Sequence, residues 1–262
     1  MKWYRVKAVL LQEWFLTLHS VEVIIDTIVY PLMNVAVFGF LSVYLAGVGN
    51  KATGEYVLAG MLLWQTLSII QYTICLGPLW NLWSRNLSNL YVSPLTTTEL
   101  VAGHLISGIL KALFIFVSTS LISIYLFHFN IFALGLLNLL LIFVNLIVFG
   151  FSLGLIIVAF IYRFGTRIQA FAWGLIPIFQ PLAAVFYPAH ILPTPFKEIS
   201  LLLPPTYIFE AVRFSLTYHK IHWLYLSTAF VGDVFLCIFA MYFFQYMFKK
   251  SKESGQFARN EG

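Results

Sequence analysis

Residues 131–161 read IFALGLLNLLLIFVNLIVFGFSLGLIIVAFI, thirty-one positions without an Asp, Glu, Lys, Arg or His. A helix needs about 20 apolar residues to cross a hydrocarbon layer about 30 Å thick, and this run exceeds that. Runs of the same kind lie on either side of it, at 24–46, 56–79, 100–127, 169–187 and 223–248. None alternates apolar with polar positions as a barrel strand does. The expectation is an all-α integral membrane protein with six transmembrane helices in one domain, residues 1–262. Composition agrees. The chain is 61% apolar and 10% charged, against about 45–50% and about 25% in soluble domains. The two cysteines, Cys75 and Cys237, both sit in apolar runs and suggest neither a disulfide framework nor a zinc site.

The segments between the runs set the remaining expectations. At 100° per residue, Trp3, Tyr4, Leu10, Leu11, Trp14, Phe15 and Leu18 share one side of the first twenty residues. Lys2, Arg5, Gln12, Glu13, His19 and Ser20 share the other. That pattern fits a helix over 1–20 lying in the membrane surface, and Gln12 and Glu13 interrupt it too early for a signal peptide. With both ends inside, the inner segments hold Lys2, Arg5, Lys7, Arg85, Arg163, Arg167, Lys249, Lys250, Lys252 and Arg259. The outer ones hold Lys51, Lys197, Arg213 and Lys220. Ten cations against four place both termini in the cytoplasm. Residues 188–222 are too apolar for a solvent loop, yet Pro188, Pro193, Pro195, Pro204 and Pro205 cut them into short pieces. Two short re-entrant helices near the outer mouth are expected there.

Three spans carry polar stripes. Glu22, Asp26, Tyr30 and Asn34 recur every fourth residue; Gln65, Ser68 and Tyr72 share a face; so do Gln169, Trp173 and Gln180, with Pro177 available for a kink. Polar groups in lipid face protein or water. The stripes read either as hydrogen bonding between helices or as the wall of a translocation path. Between the second and third spans, residues 81–92 form an amphipathic helix with Leu82, Trp83, Leu87, Leu90 and Tyr91 on one half and Asn81, Ser84, Arg85, Ser88 and Asn89 on the other. With one full positive charge this is no nucleic-acid patch. It suits either lipid headgroups or a groove on a cytoplasmic partner. Glu210 and Arg213 stand three apart, the spacing of a helical salt bridge, and serve as structural glue or as an outer gate. His219 and His222 share a helical turn, but no nearby carboxylate or thiolate completes a metal set. GVGNKAT at 47–53 lacks the order of a phosphate loop. The chain therefore carries no ATP site and no recognisable catalytic constellation.

Two stretches bear a resemblance. NLSNLYVSPLTTTELVAGHLISGIL, residues 86–110, is similar to the segment after span two of ATP-binding-cassette (ABC) type 2 permeases. PLAAVFYPAHILPTPFKEISLLLPPTYIFEAVR, residues 181–213, resembles their signature near span five, with Phe186-Tyr187-Pro188, Leu192-Pro193, Pro204-Pro205-Thr206-Tyr207 and Glu210-Ala211 followed by Arg213. Ala183-Ala184 stand where the family often has Gly or Ser. The resemblance implies an exporter permease that pairs with a second copy of itself, a homodimer in the cell inner membrane. A separate ABC ATPase subunit, in two copies, would bind ATP and Mg. Residues 81–92 would be the coupling helix, 1–20 the elbow helix, and Tyr187, Pro188, Glu210 and Arg213 the outer gate. Asp26, Tyr30, Asn34, Gln65, Ser68, Tyr72, Gln169, Trp173 and Gln180 would line the path.

DTIVYPLMNVAVFGF at 26–40 looks like the drug and lipid exporters of that family, so the expected substrate is drug-like, lipid or otherwise amphipathic. A glycan exporter of the same family is the nearest alternative. From other classes come a lipid-modifying membrane enzyme and an ion-coupled secondary transporter. His104, Lys111 and Glu99 are the nearest candidates for catalysis, but their spacing fits no named mechanism. The transporter would show an internal repeat, and none is visible.

Overall fold

The computed structural model describes residues 1–86, 89 and 92–255. Leu87, Ser88, Leu90 and Tyr91 of the expected coupling helix lie outside them, as does Arg259. Among the described residues there is no strand. Helix α1 covers Trp3–His19. Ser20 then takes an extended conformation and its hydroxyl accepts from the Val23 amide, starting α2, Val21–Val48, at a new angle. Asn50 caps α3, Lys51–Trp83. Thr96 and Glu99 form a reciprocal capping box at the start of α4, Thr97–Phe127. Helix α4 ends on His128 in the left-handed region, and Gly135, at φ 85°, turns the chain into α5, Leu136–Phe164. The remaining elements are α6, Phe171–Leu182; α7, Phe196–Leu202; α8, Pro204–Tyr218; and α9, Trp223–Glu253.

Among the described residues, five segments are long and apolar enough to cross a membrane: α2, α3, α4, α9 and α5 with its 3₁₀ extension to Ile168. The fifth expected span, 169–187, contains a helix of only 12 residues, about 18 Å long at 1.5 Å per residue. Its shortness has local causes. Gly165 at φ 73° and a 3₁₀ turn over Gly165–Ile168 precede it. Pro177 and Pro181 lie inside it, and Ala184 at φ 51° stops it.

Helix α3 runs through the centre, with 89% of its most apolar stretch buried, against 22% for α2 and for α9. Close approach to α3 rests on small residues: a Cβ at Gly154 of α5 would press on Ile74, and one at Gly108 of α4 would only touch Thr73. Helix α9 lies along α5 in the same direction, Phe243 against Phe160 and Phe244 against Tyr162. One end of the bundle therefore gathers both described termini. Arg163 donates to Ser254 at 2.9 Å, and the Lys2 amide donates to Glu99 at 2.6 Å.

The amphipathicity of α1 is present, but the middle of its polar side turns inward, while Lys2 and His19 at its ends are exposed. Arg5, Gln12 and Glu13 turn toward the protein, while Trp3, Tyr4, Leu11, Trp14, Phe15 and Leu18 are exposed. Arg5 meets Glu99, Val9 lies over Gly103, and Glu13 meets Ser107. The same offset of 94 residues holds throughout, so α1 runs beside α4 in parallel. In a lipid setting apolar residues gain nothing by turning inward, whereas polar ones do. Within 188–222 the chain forms the helices α7 and α8, which start after Pro195 and at Pro204-Pro205.

Candidate functional site

A cavity of about 720 Å³ opens between α2, α3 and α6. Eight of the nine residues singled out as path candidates line it: Asp26, Tyr30 and Asn34 from α2; Gln65, Ser68 and Tyr72 from α3; Trp173 and Gln180 from α6. Glu22, Phe38, Met61, Trp64, Gln71 and Pro177 also contribute. Three polar stripes on three helices thus converge on one space.

The stripe on α2 meets this space because the helix is not regular. On 3.6 residues per turn a period of four drifts by about 40° per step. Residues Ile25–Val29 form a π turn, whose i→i+5 bonds take up an extra residue and offset part of that drift. Pro31 has no N–H to give the carbonyl of Thr27, so the regular ladder is broken there in any case. Gln65 Nε2 donates to the Pro31 carbonyl at 3.4 Å. The Tyr72 hydroxyl donates to Asp26 Oδ2 at 2.6 Å, joining α3 to the π turn. Ser68 is tied to the Trp64 carbonyl at 3.0 Å, and Gln180 Nε2 lies 3.9 Å from Met61 Sδ.

The ninth candidate, Gln169, lies outside the cavity. Its side-chain oxygen accepts from Trp83 Nε1 at 2.9 Å, tying the end of α3 to the turn before α6. Leu82 and Trp83 are the last residues of α3, not part of a separate helix, and Leu82 is buried. Of the described coupling candidates Leu82, Trp83 and Arg85, only Arg85 is exposed, in a left-handed turn at φ 54°.

The other gate candidates hold irregular backbone. Arg213, 6% exposed, donates to the carbonyls of Ala184 at 2.9 Å and Val185 at 3.4 Å and pairs with Glu210 at 3.1 Å. Glu210 accepts from the Ala189 amide at 2.7 Å. Tyr187 reaches back to the Pro181 carbonyl at 2.9 Å. Pro188 opens a 3₁₀ turn, Ala189–Ile191. The four residues thus gather on the turn after α6, where Glu210 and Arg213 pair with each other and bond its backbone. His219 and His222 have separate tasks: the first ends α8 in the left-handed region, and the second caps α9 by accepting from the Tyr225 amide.

One site was not legible in the sequence. Glu13 of α1 is 4% exposed. Lys111 Nζ lies 2.9 Å from its Oε2, and His104 Nδ1 lies 3.1 Å from its Oε1. Gly77 makes room for the imidazole, since a Cβ there would strike the ring. The signal was His104, Ser107 and Lys111 on one face of α4, which at membrane depth demand a counter-charge. Glu99 has a parallel task, holding the Lys2 amide and Arg5. His104, Lys111 and Glu99, the three candidates for catalysis, thus all contact α1 or the residue that precedes it. Asp233, wholly buried in α9, has no hydrogen-bond partner among the described residues.

Compared with models of known families, the chain matches that of the ABC-2 type transporter over residues 4–217, from the second residue of α1 to the last but one of α8. No curated protein matches the chain.

Proposed function

The chain belongs to the ABC-2 type transporter family, and from that premise we propose that it is an exporter permease whose substrate passes along the cavity between α2, α3 and α6. The observation that carries this reading is the convergence of eight polar and aromatic residues from three helices on one space. Polar side chains kept at membrane depth mark pathways. In this reading α6, lengthened by the turns at its two ends, is the fifth of six crossings, and α7 and α8 dip into the outer leaflet beside it. The end of the bundle that gathers Lys2, Arg5, Arg163, Lys249 and Lys250 faces the cytoplasm of a cell whose inner membrane holds the protein.

Two copies pair around a shared path. Each rests on an ABC ATPase subunit, which binds the ATP and Mg. The segment that follows α3, residues 84–92, seats in that subunit, and the bond from Trp83 to Gln169 carries its movement to the base of α6. Helix α1 moves with α4 as its elbow. The substrate is a drug-like, lipid or other amphipathic molecule. The wall of five aromatic rings (Tyr30, Phe38, Trp64, Tyr72 and Trp173) offers faces on which such a molecule stacks.

The test is aqueous access. With Cys75 and Cys237 replaced by Ser, single cysteines are placed at Gln65, Tyr72 and Gln180, and controls at Leu110 and Phe235, which are 59% and 71% exposed on the outer surface of the bundle. A membrane-impermeant thiol reagent is expected to label the first set at least tenfold faster. Equal rates would mean that the stripes only pack helices together.

A further inference from the structure

Charge in this cavity has one sign. Glu22 and Asp26 line it one turn apart on α2, and no Lys, Arg or His is among its lining residues. Neither carboxylate belongs to a salt bridge among the described residues. Tyr72 occupies Asp26 Oδ2 through a neutral hydroxyl, which orients the carboxylate without cancelling its charge. Around the pair stand the rings of Tyr30, Trp64, Tyr72 and Trp173. Ring faces attract cations, and the two carboxylates, Asp26 half-buried and Glu22 exposed at the edge of the cavity, attract them further while repelling anions. The volume, about 720 Å³, falls within the range that encloses a drug-sized molecule.

We propose that the cavity selects lipophilic cations, an ammonium or phosphonium centre on an aromatic or aliphatic body, and turns away phosphate-bearing lipids and other anionic amphiphiles. This names the substrate class of the path proposed above and rests on that reading only for transport, not for binding.

The test uses two ions of nearly the same size and shape and opposite charge, tetraphenylphosphonium and tetraphenylborate. Each is equilibrated by dialysis with the full chain in nanodiscs of zwitterionic lipid, and binding to empty nanodiscs is subtracted. Saturable binding is expected for the phosphonium and not for the borate. The double variant Glu22→Gln/Asp26→Asn should weaken phosphonium binding at least tenfold, since both amides keep the shape and the amide oxygen introduced at position 26 still accepts from Tyr72. Should the double variant fail to fold, Glu22→Gln alone decides; it breaks no hydrogen bond or salt bridge among the described residues, and about a threefold loss is expected. Saturable borate binding that equals or exceeds that of the phosphonium would overturn the proposal, as would phosphonium binding indifferent to the substitutions. Binding without ATP-driven uptake into vesicles carrying the cognate ATPase would leave the cation site standing and remove the transport role. Fast thiol labelling of the cavity without phosphonium binding would do the reverse.

Discussion

Glu13 illustrates how a single carboxylate is held at low solvent exposure. Burial pushes its carboxyl up, but His104 and Lys111 together outweigh that and hold it at about 2, below the ordinary 4.5. Removing one member of a buried ion pair costs about 3 kcal/mol or more, because the partners are left uncompensated. Glu13→Gln leaves the Lys111 ammonium without its counter-charge. It is expected to lower the apparent Tm of the purified protein by roughly 6–12 °C, taking about 2–4 °C per kcal/mol. Lys111→Met, which leaves His104 beside Glu13, should cost less, and the double variant less than the sum. The pH dependence follows from the depressed value. The contribution of Glu13 is complete above about pH 4.5 and is lost as pH falls toward 2. Thermal scans across that window should show the wild type losing stability more steeply than Glu13→Gln; parallel curves would refute the pairing. Lys111 stands out in the sequence as a cation inside a span. Its partner does not, because it lies ninety-eight residues away in a different element.

At the level of elements, the proline-broken segment after α6 depends on two small residues with opposite requirements. Ala184 is held at φ 51°, a region that costs an L residue about 1 kcal/mol or more. Gly60 of α3 lies against the Val185 carbonyl, which a Cβ would strike. Ala184→Gly is therefore expected to raise the apparent Tm by about 2 °C. Gly60→Ala should lower it by several degrees, since overpacking costs typically 1–3 kcal/mol and a carbonyl fixed by Arg213 has little room to move. The same scan reads both, and a shift of equal sign in the two would remove this account of the turn. Existence and type were legible for the long helices: α3 and α4 begin within five residues of the expected starts. The length of α6 was not, because apolar composition continues past Leu182 while the backbone does not.

For the molecule as a whole, the consequential feature is that α1, the ends of α3 and α5, the start of α4 and the end of α9 meet at one end of the bundle. Lys7 and Lys250 are exposed there. Cysteines at these two positions, in the background without Cys75 and Cys237, are expected to react with an impermeant thiol reagent from the same side of sealed inverted vesicles, and one at Lys51 from the other. Labelling of Lys7 and Lys250 from opposite sides would break the even number of crossings that the proposed function needs.

Composition and periodicity by themselves determined that the chain is helical, that it belongs in lipid and where its long helices run. Those properties depend on the solvent each segment prefers, and a segment carries them alone. They also determined which faces are polar. What only the tertiary structure decided is the use of those faces. Asp26, Gln65 and Gln180 border one cavity, whereas Gln169, similar in chemistry, is consumed by Trp83, and the middle of the polar side of α1 closes on Glu99, His104 and Lys111 instead of on water. A polar group in an apolar medium must find a partner or a wet space, and which of the two it finds is fixed by what the rest of the chain brings within about 3 Å of it.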